Sequence, residues 1–235
     1  SFKNNTNIKI YEIKFLEKIL IKFGIVNFRI KKKLLRADYI FFHNIKLLNI
    51  LKKFNNIKPL FFFFHTDKYK YINRLYNVDH ILTVNTETRN IINLKYKSKQ
   101  AYYLPNCIET RGIKVYKQKA RTKKKFVVGA MGRLVEKKGF AFLINALKNL
   151  PDIELIIAGT GPSEKKLIKI SKGYKNIKLI GWVNDKESFF SKIDVFCLPS
   201  TVEPFGLVIL EAMARGIPVI STNCKGPNDI ITHYN

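Results

Sequence analysis

The sequence predicts an α/β protein built from two Rossmann-like, doubly wound parallel-sheet units. Three observations lead there. Short, wholly apolar runs alternate along the chain with longer amphipathic segments, the pattern of strands buried on both faces and joined by crossover helices. Ten of the twelve glycines fall between Gly129 and Gly226, so glycine-bearing turns mark one half of the chain and not the other. The charge divides the same way: residues 1–120 carry 25 basic and 7 acidic side chains, residues 121–235 carry 18 and 10.

In the first half, residues 8–35 set Ile, Leu and Phe against Lys at helical spacing and read as one or two basic amphipathic helices. The apolar runs 39–42 and 60–64 are too short for buried helices and read as central strands, with a helix over 45–54 and a turn at Pro59 between them. A helix near 68–76, a strand at 81–84, a helix near 86–94 and a strand at 101–104 complete a unit over residues 1–108. Residues 109–124 are basic, poor in large apolar groups, and read as a linker. The alternation then restarts over 125–235. Strands are expected at 126–131, 153–158, 177–180, 195–198 and 218–221, with helices over 138–149, 163–172, 185–191 and 206–214 between them.

With 235 residues and 46% hydrophobic side chains, the chain can bury a sizeable core, which excludes wholesale disorder. Its formal net charge of +26 leaves three readings open: nucleic acid, an anionic membrane or polyanionic substrate, and A/T-rich coding. The last has weight because Lys, Ile, Asn, Phe and Tyr, all encoded by A/T-rich codons, make up 116 residues. Cys107, Cys197 and Cys224 are widely spaced with no Cys-x-x-Cys pair, so neither a disulfide framework nor a zinc site is expected, and a reducing compartment fits. No signal peptide is visible, and no run of 18 uncharged apolar residues suits a membrane span.

Three glycine-bearing turns of the second unit each follow an expected strand: Gly129–Arg133, Gly159–Pro162 and Pro204–Gly206. In open parallel sheets, ligands bind in the crevice outside the carboxyl ends of the strands. Glycine there lets backbone approach a phosphate, and a following helix offers unpaired N–H groups. Arg133 and Lys138 flank the first turn as a planar fork and a point charge suited to a diphosphate. Glu203 and Glu211 lie eight residues apart, just over two helical turns, so both carboxylates can face one cleft. A loop acid with a solvated helix acid, or the carboxylate pair of a hydrolase, would have the same spacing. Trp182, the only tryptophan, fits a core anchor equally well.

The wording of these segments is more specific. Residues 132–139 (GRLVEKKG), 203–211 (EPFGLVILE) and 212–218 (AMARGIP) resemble the donor-phosphate loop and the Glu-x7-Glu motif of retaining glycosyltransferases with the GT-B fold. These form glycosyltransferase family 4, the glycosyl transferases group 1. Residues 157–162 (IAGTGP), 180–183 (IGWV) and 195–200 (VFCLPS) continue the likeness, which covers residues 126–230. Residues 37–44, 59–65, 78–85 and 104–109 resemble the acceptor-side strands of the same family, with Cys107 where its Pro-Asn-Gly has glycine.

The resemblance implies two domains facing each other across a cleft, and a role for each matching residue. Arg133 and Lys138 would neutralise the diphosphate, and the backbone N–H groups of Gly206 and Leu207 would meet its phosphate end. Glu203 would contact the donor sugar and Glu211 the ribose, while the main chain at Trp182-Val183 would meet the base. His65, directly after a strand, falls where the family has an active-site histidine; His43 ends another strand. A UDP- or GDP-linked sugar is the implied donor, a glycan or lipid-linked molecule the acceptor, and cell-envelope polysaccharide or lipopolysaccharide the product. No Asp-x-Asp occurs, so no metal and no cofactor beyond the donor is expected. The expected location is the cytoplasm, with peripheral attachment to the anionic cytoplasmic face of the inner membrane. The family's glycine-rich first loop has no counterpart before Lys31, and the chain ends before the family's final section, so a longer polypeptide is expected. A catalytically inactive donor-binding fragment, and a GT-B epimerase or glycogen-type synthase, share these motifs. A basic nucleic-acid-binding protein is the alternative of another class; no nucleic-acid-reading motif is recognisable, and nucleic acid is not an expected partner.

Overall fold

Apolar runs bounded by polar turns assemble into two parallel sheets of four and five strands. A computed structural model of the chain describes residues 26, 28–51, 59–66, 69–97, 100–116 and 125–231. Most of segment 8–35, Asp67 and linker residues 117–124 lie outside the described residues. The chain divides into two compact units. One holds Ser1–Phe64, Lys68–Leu82 and Ile92–Tyr102; the other holds His65–Asp67, Thr83–Ile91 and Tyr103–Asn235.

The first sheet contains β1 (Ile40–Phe42), β2 (Leu60–Phe64), β3 (His80–Thr83) and β4 (Ala101–Tyr103), in the order β1-β2-β3-β4. Ile40 pairs with Leu60 and Phe42 with Phe62 in parallel register. Alternation does the sorting: Ile40, Phe42, Leu60, Phe62, Phe64 and Ile81 are buried on one face. On the other, aromatic rings form a ladder, with Phe41 stacked on Phe61 at 4.7 Å, Phe61 on His80 at 4.4 Å and His43 on Phe63 at 4.7 Å. Helices α1 (Phe28–Arg36), α2 (Leu48–Leu51) and α3 (Thr86–Lys95) accompany these strands. Phe28 and Leu35 are exposed on α1 among its basic residues. The helix expected near 68–76 is a 3₁₀ helix over residues 69–77. The buried residues explain it: Ile72, Leu75 and Val78 repeat every third position, and three residues per turn keep them on one line.

The second sheet contains β5 (Phe126–Met131), β6 (Ile153–Ala158), β7 (Ile177–Leu179), β8 (Val195–Leu198) and β9 (Val219–Ser221), in the order β7-β6-β5-β8-β9. The chain starts in the middle, builds outward through β6 and β7, then returns to the other side of β5. That reversal makes the junction of β5 and β8 the topological switch point. Helices α4 (Phe140–Leu147), α5 (Glu164–Ser171), α6 (Lys186–Phe190), α7 (Leu207–Met213) and α8 (Lys225–Ile230) belong to the same unit. One core gathers Val128, Ala130, Ile144, Leu155, Ile157 and Leu167; another gathers Ile156, Ala158, Phe190, Phe196, Ile209 and Ala212. Alternate residues of β6 serve each, as a sheet covered on both faces requires. Sequence reading omitted α8 because Gly226 and Pro227 look like a turn; both lie in its first turn, where proline's missing N–H has no intrahelical role.

Candidate functional site

The turns leaving β5, β6 and β8 interlock at the carboxyl end of the second sheet. Gly132 N–H donates to the Ala158 carbonyl at 3.0 Å, Leu134 N–H to Thr160 at 2.9 Å, and Ser163 N–H to Leu134 at 2.9 Å. The crossings at Gly159 and Gly139 admit only glycine. A Cβ on Gly159 would sit 1.9 Å from the Gly132 carbonyl oxygen. One on Gly139, which is left-handed at φ 68°, would sit 1.8 Å from that of Pro199. Thr201 N–H then donates to the Lys137 carbonyl at 2.9 Å, tying the β8 turn to the β5 turn. Backbone thus fixes the frame from which the side chains project.

Those turns border a cavity of about 880 Å³ in the second unit. Nine of the residues singled out from sequence line it: His65, Arg133, Lys138, Trp182, Val183, Glu203, Gly206, Leu207 and Glu211. Lys138 and Glu203 form an ion pair. Glu203 is buried, and it also accepts from the Ser200 hydroxyl at 3.4 Å. Arg133 is exposed and has no ion-pair partner among the described residues. Glu211 accepts from Lys186 Nζ at 2.6 Å. Trp182 is 72% exposed and donates its indole N–H to Asn184 Oδ1 at 2.7 Å, so it is no core anchor. His65, directly after β2, is exposed at the cavity. His43 stacks in the aromatic ladder and does not line the cavity.

Sequence reasoning missed Lys186. It begins α6, behind the N-cap Asp185 that accepts from Ser188 N–H, and looks like an ordinary solvated lysine. Its partner is 25 positions away, so no local pattern flags the pair. The resulting arrangement is chemically divided. Arg133 and the exposed edge of the Lys138–Glu203 pair can meet an anion, while Glu203 and Glu211 can accept from hydroxyls. Cys197, on β8, contributes no thiolate, since burial pushes its thiol up to about 11.

Known proteins carry the same pattern. A sequence model of the glycosyl transferases group 1 matches residues 112–235, more than half of the chain. The lipopolysaccharide core biosynthesis glycosyltransferase LpsE of Rhizobium meliloti is 41% identical over 104 residues, a stretch that is 43% of this chain and 31% of that protein. The O-antigen biosynthesis glycosyltransferase WclY of Escherichia coli is 37% identical over 100 residues, 41% of this chain and 28% of its own. The matched stretches therefore take up less than a third of these relatives. Among solved structures, Anabaena HepE in complex with UDP and glucose superposes with a TM-score of 0.73 at 18% identity, over 95% of this chain and 68% of that one. The lipopolysaccharide outer core galactosyltransferase WaaB gives 0.69 at 20% identity, over 88% of this chain and 63% of that one. These structures share the GT-B fold. On the family match, whose residues include every turn of the cavity except those of His65, Val84 and Asn106, this chain belongs to the glycosyl transferases group 1.

Proposed function

We propose that this cavity binds a UDP- or GDP-linked sugar, and that the protein transfers the sugar with retention to a glycan or lipid-linked acceptor in cell-envelope polysaccharide synthesis. One observation carries the reading: Arg133, Lys138, Glu203, Gly206 and Glu211 converge on one cavity at the switch point of a doubly wound sheet. Breaking the bond between sugar and diphosphate builds negative charge on the leaving group. Arg133 and Lys138 meet that charge, with the N–H groups of Gly206 and Leu207 beside them. Glu203 orients sugar hydroxyls, Glu211 takes the ribose, and the chain at Trp182-Val183 meets the base. His65 faces the reacting sugar. Retention, and the acceptor class, rest on the family resemblance and on the functions of the relatives.

The test is calorimetric titration of UDP and GDP with and without EDTA. One of the two is expected to bind equally well in both conditions, because two cations stand where a metal would otherwise bridge the phosphates. Strict dependence on Mg²⁺ would overturn the metal-free assignment. In the same assay Glu211→Ala should weaken binding about tenfold, as for loss of charge-assisted hydrogen bonds. Glu164→Ala, at the start of α5, should change nothing. Equal effects would remove Glu211 from the ribose.

Attachment to an anionic membrane surface is the remaining part of the reading, supported by the basic α1 with Phe28 and Leu35 exposed. Co-sedimentation should be greater with vesicles containing anionic lipid than with neutral ones. Equal sedimentation would leave the positive charge to coding bias.

A further inference from the structure

Behind the cavity wall, a buried arginine gathers three segments. Arg215 is 6% exposed and its guanidinium carbon lies 4.6 Å from the centre of the Phe190 ring. Nη1 donates to the Glu211 carbonyl at 2.7 Å, Nε donates to Glu187 Oε1 at 3.0 Å, and Nη2 pairs with that same oxygen. The other Glu187 oxygen accepts from the Tyr116 hydroxyl at 2.8 Å, and Tyr116 N–H donates to the Arg215 carbonyl at 2.8 Å. Arg215, with the Tyr116 hydroxyl, holds the Glu187 carboxyl below its usual range, against a smaller opposing effect of burial. None of the three lines the cavity, yet Glu187 and Arg215 each lead to a residue that does. Lys186 precedes Glu187, and Glu211 stands one helical turn before Arg215.

We propose that Arg215, acting with Glu187 and Tyr116, is a positioning residue that sets Lys186 and Glu211 on the cavity wall and so tunes affinity for the nucleoside end of the donor. The inference rests on the donor-site reading above. Lys186 and Glu211 do not fix themselves: Lys186 is half-exposed, and such a pair holds a geometry by only about 0–1 kcal/mol. The Arg215 guanidinium is planar, buried and bonded at three nitrogens, so order passes from it outward to the pair. A lysine at 215 would put one point charge in place of the planar fork that meets Glu187 and the Glu211 carbonyl together.

The test compares UDP, GDP and inorganic pyrophosphate on the 235-residue chain. Glu187→Gln is expected to weaken the nucleotide that the unaltered chain binds by about tenfold, since it removes one ionic partner. Pyrophosphate, which meets Arg133 and Lys138 and nothing near Glu211, should bind as before. Arg215→Lys should repeat this split. Glu187→Gln combined with Glu211→Ala should bind no more weakly than Glu211→Ala alone, because the two act through one carboxylate. Equal losses for nucleotide and pyrophosphate, an additive double variant, or unchanged nucleotide affinity would each overturn the positioning role. Should these variants fail to fold, Tyr116→Phe removes a single oxygen and must give the same split at smaller amplitude. If the unaltered chain binds neither nucleotide, the donor-site reading itself falls; if it binds and the variants match it, only the positioning role does.

Discussion

Lys138→Ala is expected to weaken UDP or GDP binding by about 10–100-fold, the worth of a charge-assisted contact to phosphate, and to lower stability in the same step. The second effect comes from Glu203. Its carboxylate is buried and paired with Lys138, and without that cation it keeps, among the described residues, only the Ser200 hydroxyl at 3.4 Å. Stranding a fully buried charge costs about 3–5 kcal/mol, and partial exposure of Lys138 reduces this to about 2 kcal/mol. For a chain of this length, that is a fall in Tm of about 4–8 °C. A double variant, Lys138→Met with Glu203→Gln, separates the effects. Removing both charges of a buried pair is often neutral for stability, so Tm should recover while binding stays lost. Calorimetry and thermal melts on the three proteins decide it. Unchanged nucleotide affinity in Lys138→Ala would take the diphosphate away from this lysine.

Gly159→Ala is expected to cost about 3–5 kcal/mol and to abolish nucleotide binding, combining backbone strain with an unrelieved clash. Its Cβ would meet a backbone carbonyl, not the end of a flexible side chain, so the β5 and β6 turns must part to admit it. Those turns carry Arg133 on one side and Thr160 on the other, both on the cavity. Gly173 is the matched control. It too is left-handed, at φ 89°, but a Cβ there meets nothing within 4 Å. Gly173→Ala should therefore cost only the left-handed penalty of about 1–2 kcal/mol and leave binding intact. Urea melts with nucleotide titrations measure both. Similar costs at the two positions would mean that the turns are not interlocked as described.

Most of the fold was legible because its signals are local. Strands 60–64, 126–131, 153–158 and 195–198 fall where apolar runs begin and end. The helix near 68–76 was legible but its 3₁₀ form was not, because Ile72, Leu75 and Val78 satisfy a loose helical pattern, and only the regular spacing of three tells the two apart. The site was legible to the extent that its residues sit in turns directly after strands. What stayed hidden is non-local. Lys186 finds Glu211 25 positions on, Glu187 finds Arg215 28 positions on, and Tyr116 reaches Glu187 across 71. Each is a charge or a hydroxyl that a sequence reading assigns to solvent.

The exposed Trp182 has a practical consequence. It is the chain's sole indole, so all tryptophan fluorescence originates from one wall of the cavity. Its emission reports on solvent and on stacking at that wall without interference from elsewhere in the protein. Occupancy can therefore be followed optically in every variant that keeps Trp182, with no label attached and at concentrations too low for calorimetry.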